Sequence, residues 1–187
     1  MTEKKMTDIL NRRQFLGGSL VVATASQLWW PGEAEAANLQ AGREVTFLNA
    51  HTGERFKGEY WQNGRYLSDA FKNIKQIMRD HRTDEIFPID PRLIDVLFVL
   101  QKRLKTGKPY RIFSGYRSPK TNAKLRRMTF GVAKKSLHMQ GQAVDLRLPG
   151  RRVSDIRRQA MALKAGGVGY YPKSQFVHLD TGRVRHW

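Results

Sequence analysis

No cysteine occurs among the 187 residues. That excludes a disulfide framework, a thiolate metal site and a cysteine nucleophile. Acidic side chains are scarce, 16 against 34 lysines and arginines, giving a formal net charge of +18. Any chemistry must therefore draw on few carboxylates, five histidines and the hydroxyls. A long apolar run is missing too: the stretch from Phe15 to Trp30 falls short of the roughly 20 residues a membrane-spanning helix needs. There is no internal repeat and no low-complexity segment.

What the chain does contain begins with an ordered leader. Lys4 and Lys5 precede Asn11-Arg12-Arg13-Gln14-Phe15-Leu16, then the apolar run, then Ala34-Glu35-Ala36-Ala37. Charged region, hydrophobic region and small-residue cleavage site follow in the order of an export signal. The paired arginines before Gln-Phe-Leu resemble the twin-arginine signal, which implies passage through that export machinery in a folded state. The expectation is a signal peptide over residues 1–37, cleaved near Ala36 or Ala37, and a single domain over 38–187 that works in the periplasm. Residues 1–36 hold four basic and four acidic side chains, so the whole excess charge belongs to the exported part. Such a charge favours polyanionic partners, and export selects the cell envelope over nucleic acid.

The exported part reads as α+β, an antiparallel sheet with helices packed on one side. Glu44–Leu48 and Arg55–Tyr60 alternate about a turn at His51-Thr52-Gly53-Glu54 and form a hairpin, with a second turn at Asn63-Gly64. Ser68 caps a helix to Arg79 with Phe71, Ile74 and Met78 on one face; Asp90 and Pro91 open another to Lys105, with Leu93, Val96, Leu97 and Leu100 buried. Strands follow at Tyr110–Phe113, Gln142–Leu148, Val168–Tyr170 and Phe176–Leu179. Helices are expected over Asn122–Arg127 and from a Ser154 cap to Leu163, the latter stopped by Gly166-Gly167.

The densest chemical signal is Ser136-Leu137-His138-Met139-Gln140-Gly141-Gln142-Ala143-Val144-Asp145, followed by Phe176-Val177-His178-Leu179-Asp180-Thr181-Gly182. Imidazole and carboxylate are zinc ligands, and a catalytic site uses three so that a fourth position stays open. His138, Asp145 and His178 supply that set. Alternation places Asp145 on the strand face opposite Val144 and Leu146, and His178 opposite Val177 and Leu179, so the two meet if their strands pair. Singly, each residue has an ordinary reading as a hydrogen-bonded or salt-bridged side chain. His51, His81 and His186 keep that reading, His81 as a favourable cation after a helix end.

Together, Ser-x-His-x-x-Gly-x-Ala-x-Asp and the distant strand histidine resemble the zinc D-alanyl-D-alanine peptidases related to lysostaphin and the hedgehog fold. Within that family the chain is most similar to the murein endopeptidases of Gram-negative bacteria, on Asn49–Glu54, Pro88–Leu93, Ser114-Gly115-Tyr116-Arg117-Ser118 and Val177–Gly182. The resemblance implies a Zn2+ cofactor, peptidoglycan as partner and substrate, a monomer, and hydrolysis by a metal-activated water. It gives Arg117 the role of holding substrate and stabilising the oxyanion, and Ser136 that of a substrate hydrogen bond. Relatives carry a proton-shuttling Glu three residues before the last ligand, or a His two before it; here Gln175 and Phe176 stand there. Asp180, two residues past His178 on the same strand face, is the substitute candidate for the base. Three readings stay open: an endopeptidase of D-amino-acid cross-links, a metal-containing wall-binding module with weak or lost turnover, and a D,D-carboxypeptidase.

Overall fold

The computed structural model describes residues 42–129 and 131–187. The export signal expected over residues 1–37 lies outside the described residues. β1 (Arg43–Asn49) and β2 (Arg55–Gln62) form the expected hairpin. Asn63 and Gly64 then take φ of 49° and 77°, the left-handed pair that suits a two-residue turn into the short β3 (Arg65–Tyr66).

Helix α1 (Ser68–Ile77) starts without a side-chain cap: Leu67 holds the capping position and Ser68 is already helical. Its buried side includes Ile74, with Met78 just beyond it. Helix α2 (Pro91–Arg103) starts as expected, because the Asp90 carboxylate accepts from the Arg92 N–H at 3.0 Å and Pro91 needs no hydrogen bond in the first turn. Leu93, Ile94, Leu97 and Leu100 are fully buried, while Val96, expected in the stripe, is only half-buried. β4 (Tyr110–Ser114) leads to α3 (Pro119–Met128), which begins three residues earlier than expected because the Ser118 hydroxyl accepts from the Thr121 N–H. After β5 (Ala143–Arg147) come α4 (Val153–Leu163), β6 (Gly167–Tyr171), β7 (Phe176–Asp180) and β8 (Arg185–His186). Ser154 does not cap α4; Arg152 takes that place without a side-chain bond.

The strands form one sheet in the order β3-β2-β1-β4-β5-β7-β6-β8. It is mostly antiparallel but mixed. β1 runs parallel to β4 because α1 and α2 carry the chain across between them, and β8 returns parallel to β6. Helices α1, α2 and α4 pack on one sheet face. That face presents Val45, Phe47, Ile112, Val144, Leu146, Val177 and Leu179, each at most 2% exposed. The alternate residues of β5 and β7 point to the other face. Strict alternation breaks in β4: Ile112 pairs Leu146, yet Ser114 pairs Asp145, so two residues step against one. This bulge turns Ser114 onto the face that carries Asp145. No helix among the described residues is long and apolar enough to cross a membrane.

His51 and His81 stack with ring centroids 3.8 Å apart, and the His51 ring N–H donates to the Phe113 carbonyl at 3.0 Å. Burial first, then the neighbouring Arg82 and His51, push the His81 pKa down to about 4. It is therefore neutral at pH 7 and not the helix-end cation expected from its position. The unfolded chain, with an ordinary value of 6.5, binds this proton between pH 6.5 and 4 when the folded chain does not, so stability falls as pH drops through that window. His81→Gln should flatten that part of the acid profile, measured as urea midpoints from pH 7 to 4; an unchanged slope would show that His81 does not carry it.

Candidate metal centre and active site

His138 sits in the 3-10 turn Leu137–Gln140, closed by Gly141 at φ 64°. A side chain at Gly141 would stand 2.0 Å from the Pro88 carbonyl, so only glycine lets the turn lie this close to the preceding loop. The His138 side chain is 3% exposed. Its Nδ1–H donates to the Gly115 carbonyl at 2.7 Å, which leaves Nε2 as the free lone pair. Gly115 is itself pressed against the end of α1, where a Cβ would come within 2.5 Å of the Met78 carbonyl. The backbone that fixes the histidine is thus fixed by the core.

Asp145 and His178 are direct partners in the β5–β7 ladder, as the alternation of both strands predicts. Asp145 Oδ1 lies 2.9 Å from His178 Nδ1 and 3.3 Å from His138 Nε2, and the two nitrogens are 3.2 Å apart. On its far side, His178 Nε2–H donates to Asp180 Oδ2 at 3.0 Å. Both imidazoles have therefore committed their outward N–H, and two nitrogen lone pairs and a carboxylate oxygen face one point. Three acceptors at such distances repel unless a positive centre lies among them. A proton on His178 is such a centre. Burial pulls the His178 pKa down, but its hydrogen bonds to Asp145 and Asp180 outweigh that and push it up to about 9. Burial holds His138 down, in its neutral form. The two imidazoles overcome the effect of burial on Asp145 and hold its carboxyl well below the usual range. Two imidazoles and one carboxylate suit zinc, with room for a further ligand. Among the described residues this is the cluster of histidines and carboxylates close enough to hold a metal ion.

Arg117 lies beside the trio. Its Nη2 stands 3.4 Å from Asp145 Oδ2 and donates to Ser114 Oγ at 3.3 Å, and Nη1 donates to Asn122 Oδ1 at 3.4 Å. Ser136 precedes the His138 turn, buried, without a capping bond, and lines the same cleft. The cleft has a volume of about 350 Å³ and opens over His138, Asp145 and His178. All the sequence-predicted site residues thus gather at one place.

Asp180 gathers there in a different position from the one expected of a general base. Its side chain is 0% exposed. Besides His178, it accepts from the Gly167 N–H at 3.0 Å, the Gly182 N–H at 2.9 Å and both Nη atoms of Arg185 at 3.0 and 2.7 Å. Burial raises its pKa, but these donors outweigh it and hold the carboxyl well below the usual range. The carboxylate stands behind the His178 ring, bonded to the ring nitrogen on the side away from Asp145. Gln175 sits in a turn at φ 56°, and Phe176 stacks on Tyr171 with centroids 4.5 Å apart.

Several members of the site escaped the sequence reading, namely Asn122, Arg185, Trp187 and two glycines, and Ser114 stood in a family stretch without a role of its own. A Cβ at Gly167 would stand 2.4 Å from Asp180 Oδ2, and one at Gly169 would stand 2.8 Å from the Trp187 ring. These glycines, two apart on one face of β6, leave space for the groups behind His178. Their spacing was the available signal; Gly167 read instead as part of a helix stop and Gly169 as an ordinary strand position.

Comparison with known proteins agrees with this geometry. A family model described as Peptidoglycan L,D-endopeptidase MepK matches residues 37–187. The chain is 44% identical over 177 residues to Peptidoglycan L,D-endopeptidase MepK of Escherichia coli strain K12, covering 95% of this chain and 97% of the relative. It is 40% identical over 146 residues to the Probable peptidoglycan L,D-endopeptidase MepK of Haemophilus influenzae, covering 78% of each. With that coverage, the chain belongs to the family described as Peptidoglycan L,D-endopeptidase MepK.

Proposed function

We propose that the protein is a metal-dependent hydrolase of peptide cross-links in peptidoglycan, exported to the periplasm through the twin-arginine machinery and active there as a monomer. The observation that carries this reading is the convergence of His138 Nε2, Asp145 Oδ1 and His178 Nδ1 at the floor of an open cleft. The names of the relatives specify a bond between an L and a D centre. We take the same bond class for this chain, which fits the D-amino-acid cross-link read from the sequence and favours an endopeptidase over a carboxypeptidase.

His138, Asp145 and His178 would hold the ion, zinc by resemblance. When bound, it supplies Lewis acidity at the scissile carbonyl and makes water a nucleophile near neutral pH. The chain's own groups do the rest. Gly115 and Asp180 fix the orientation of the two histidines, so their inner nitrogens are available without rearrangement. Arg117 keeps a guanidinium beside Asp145, where it offsets negative charge that builds on the substrate oxygen. Ser136 offers a hydroxyl at the cleft wall, and Phe176 with Tyr171 gives that wall an apolar surface that limits water. Asp180 acts through His178 and not on the substrate.

One observation favours a second reading, a wall-binding module with little turnover: both carboxylates lining the cleft, Asp145 and Asp180, are already committed to cations. The deciding measurement incubates the protein with intact cross-linked peptidoglycan, with and without zinc and a chelator, and identifies fragments by mass spectrometry. Chelator-sensitive conversion of cross-linked to monomeric fragments is expected; binding by metal-loaded protein without conversion would replace the hydrolase with the binding module.

His178→Ala should abolish metal retention and hydrolysis together, as read by elemental analysis and the fragment assay. Asp180→Asn should keep the fold but weaken metal affinity by roughly 10–100-fold, because the support behind His178 is lost; unchanged affinity would remove Asp180 from that role. The ion must displace the His178 proton, which is held up to a pKa of about 9. Affinity should therefore rise as pH increases from 6 towards 9 and then level off, measured by competition with a chelator of known affinity.

A further inference from the structure

Peptide hydrolysis builds negative charge on the scissile carbonyl oxygen, and hydrogen-bond donors aimed at that oxygen supply a large part of the rate. Arg117 is one donor, but its Nη atoms already serve Asn122, Ser114 and Asp145, and its Nε is buried. A second donor stands on another wall of the cleft. Tyr171 belongs to β6, whose residue Gly169 pairs with His178 and whose Tyr171 pairs with Phe176. Tyr171 is thus the diagonal cross-strand neighbour of His178, at the roughly 7–8 Å separation that an aromatic side chain bridges. It lines the same cleft as the three candidate ligands.

The hydroxyl is held in a specific way. Trp187 Nε1–H donates to Tyr171 Oη at 2.9 Å. An indole nitrogen only donates, so the phenol oxygen is the acceptor and its own hydrogen is uncommitted among the described residues. The Trp187 backbone is pinned to β6, its N–H to the Val168 carbonyl at 3.2 Å and its carbonyl to the Tyr170 N–H at 3.0 Å. Its ring lies 5.3 Å from the His178 ring, with the Arg185 guanidinium 5.0 Å from its centroid. The missing side chain of Gly169 makes room for it. Aromatic packing alone would not require an N–H to be spent on the tyrosine oxygen.

We propose that Tyr171 is a catalytic residue whose hydroxyl donates a hydrogen bond to the scissile carbonyl oxygen as it gains charge, and that Trp187 is the positioning residue that orients it. This assignment rests on the hydrolase reading above.

The test uses the full, metal-loaded protein and the variants Tyr171→Phe and Trp187→Phe. Tyr171→Phe should retain its metal and its KM for cross-linked fragments but lose roughly a hundredfold in kcat. Trp187→Phe, which keeps a ring against His178 but removes the N–H, should lose about tenfold. Two further readouts do not depend on turnover. A phosphinic, tetrahedral isostere of the cross-link should bind Tyr171→Phe far more weakly than wild type, while its planar N-methyl amide counterpart binds both alike. The Trp187 indole N–H resonance of metal-free protein should move in Tyr171→Phe as its acceptor disappears. A kcat within threefold of wild type, an unmoved indole resonance, or equal loss of affinity for both isosteres would overturn the assignment. If the wild type itself cleaves no cross-link, the hydrolase reading falls, and the two isosteres still decide the role of Tyr171.

Discussion

Three electron pairs directed at one point govern this structure. His138, Asp145 and His178 each bring an acceptor to the same place, within 2.9–3.3 Å of one another, and with both outward N–H groups committed these acceptors repel unless a positive centre lies among them. Keeping such a set together requires the surroundings to hold each group from behind. The Gly115 carbonyl holds His138, Asp180 holds His178, and the β5–β7 ladder holds Asp145 against His178. Each support leads into rigid parts of the fold. Gly115 is wedged on the end of α1, and Asp180 is tied to the β6 backbone at Gly167. The core thus preorganises the site through backbone atoms more than through side chains.

The same constraint explains the glycines of the site. Gly115, Gly141, Gly167 and Gly169 each stand where a Cβ would fall 2.8 Å or less from another atom. Only Gly141 among them needs its left-handed backbone; the others are glycine because another group occupies the volume. A sheet face that must hold Asp180, Arg185 and Trp187 behind one histidine has no space for ordinary side chains on the neighbouring strand.

What could be read from the sequence was what depends on local periodicity. Val144-Asp145-Leu146 and Val177-His178-Leu179 alternate cleanly, so the shared face of Asp145 and His178 followed from the residues alone. Asp90-Pro91 announced α2 because a capping carboxylate and a first-turn proline act locally. What could not be read depends on partners distant in the chain. The bulge that turns Ser114 onto the site face appears only once β4 is paired with β5. Parallel pairing of β1 with β4 depends on how the two intervening helices cross the sheet. Asp180 illustrates the difference best. Its place two residues past His178 made it a candidate base, but Arg185 and the Gly167 N–H bind its carboxylate from elements whose arrangement local spacing does not reveal.

The scarcity of acid has a consequence for the chemistry. In a chain with 34 basic and 16 acidic side chains, each carboxylate at the cleft is surrounded by basic groups. Asp145 is shared among His138, His178 and Arg117, and Asp180 lies between His178 and Arg185. Every one of these contacts stabilises the ionised form and lowers its affinity for a proton. Such carboxylates are good ligands and good supports for ligands, but poor acceptors for a proton that must be taken up and passed on. A site of this composition is therefore poorly suited to catalysis by a free carboxylate base, and the roles proposed for Arg117 and Tyr171 are accordingly those of hydrogen-bond donors.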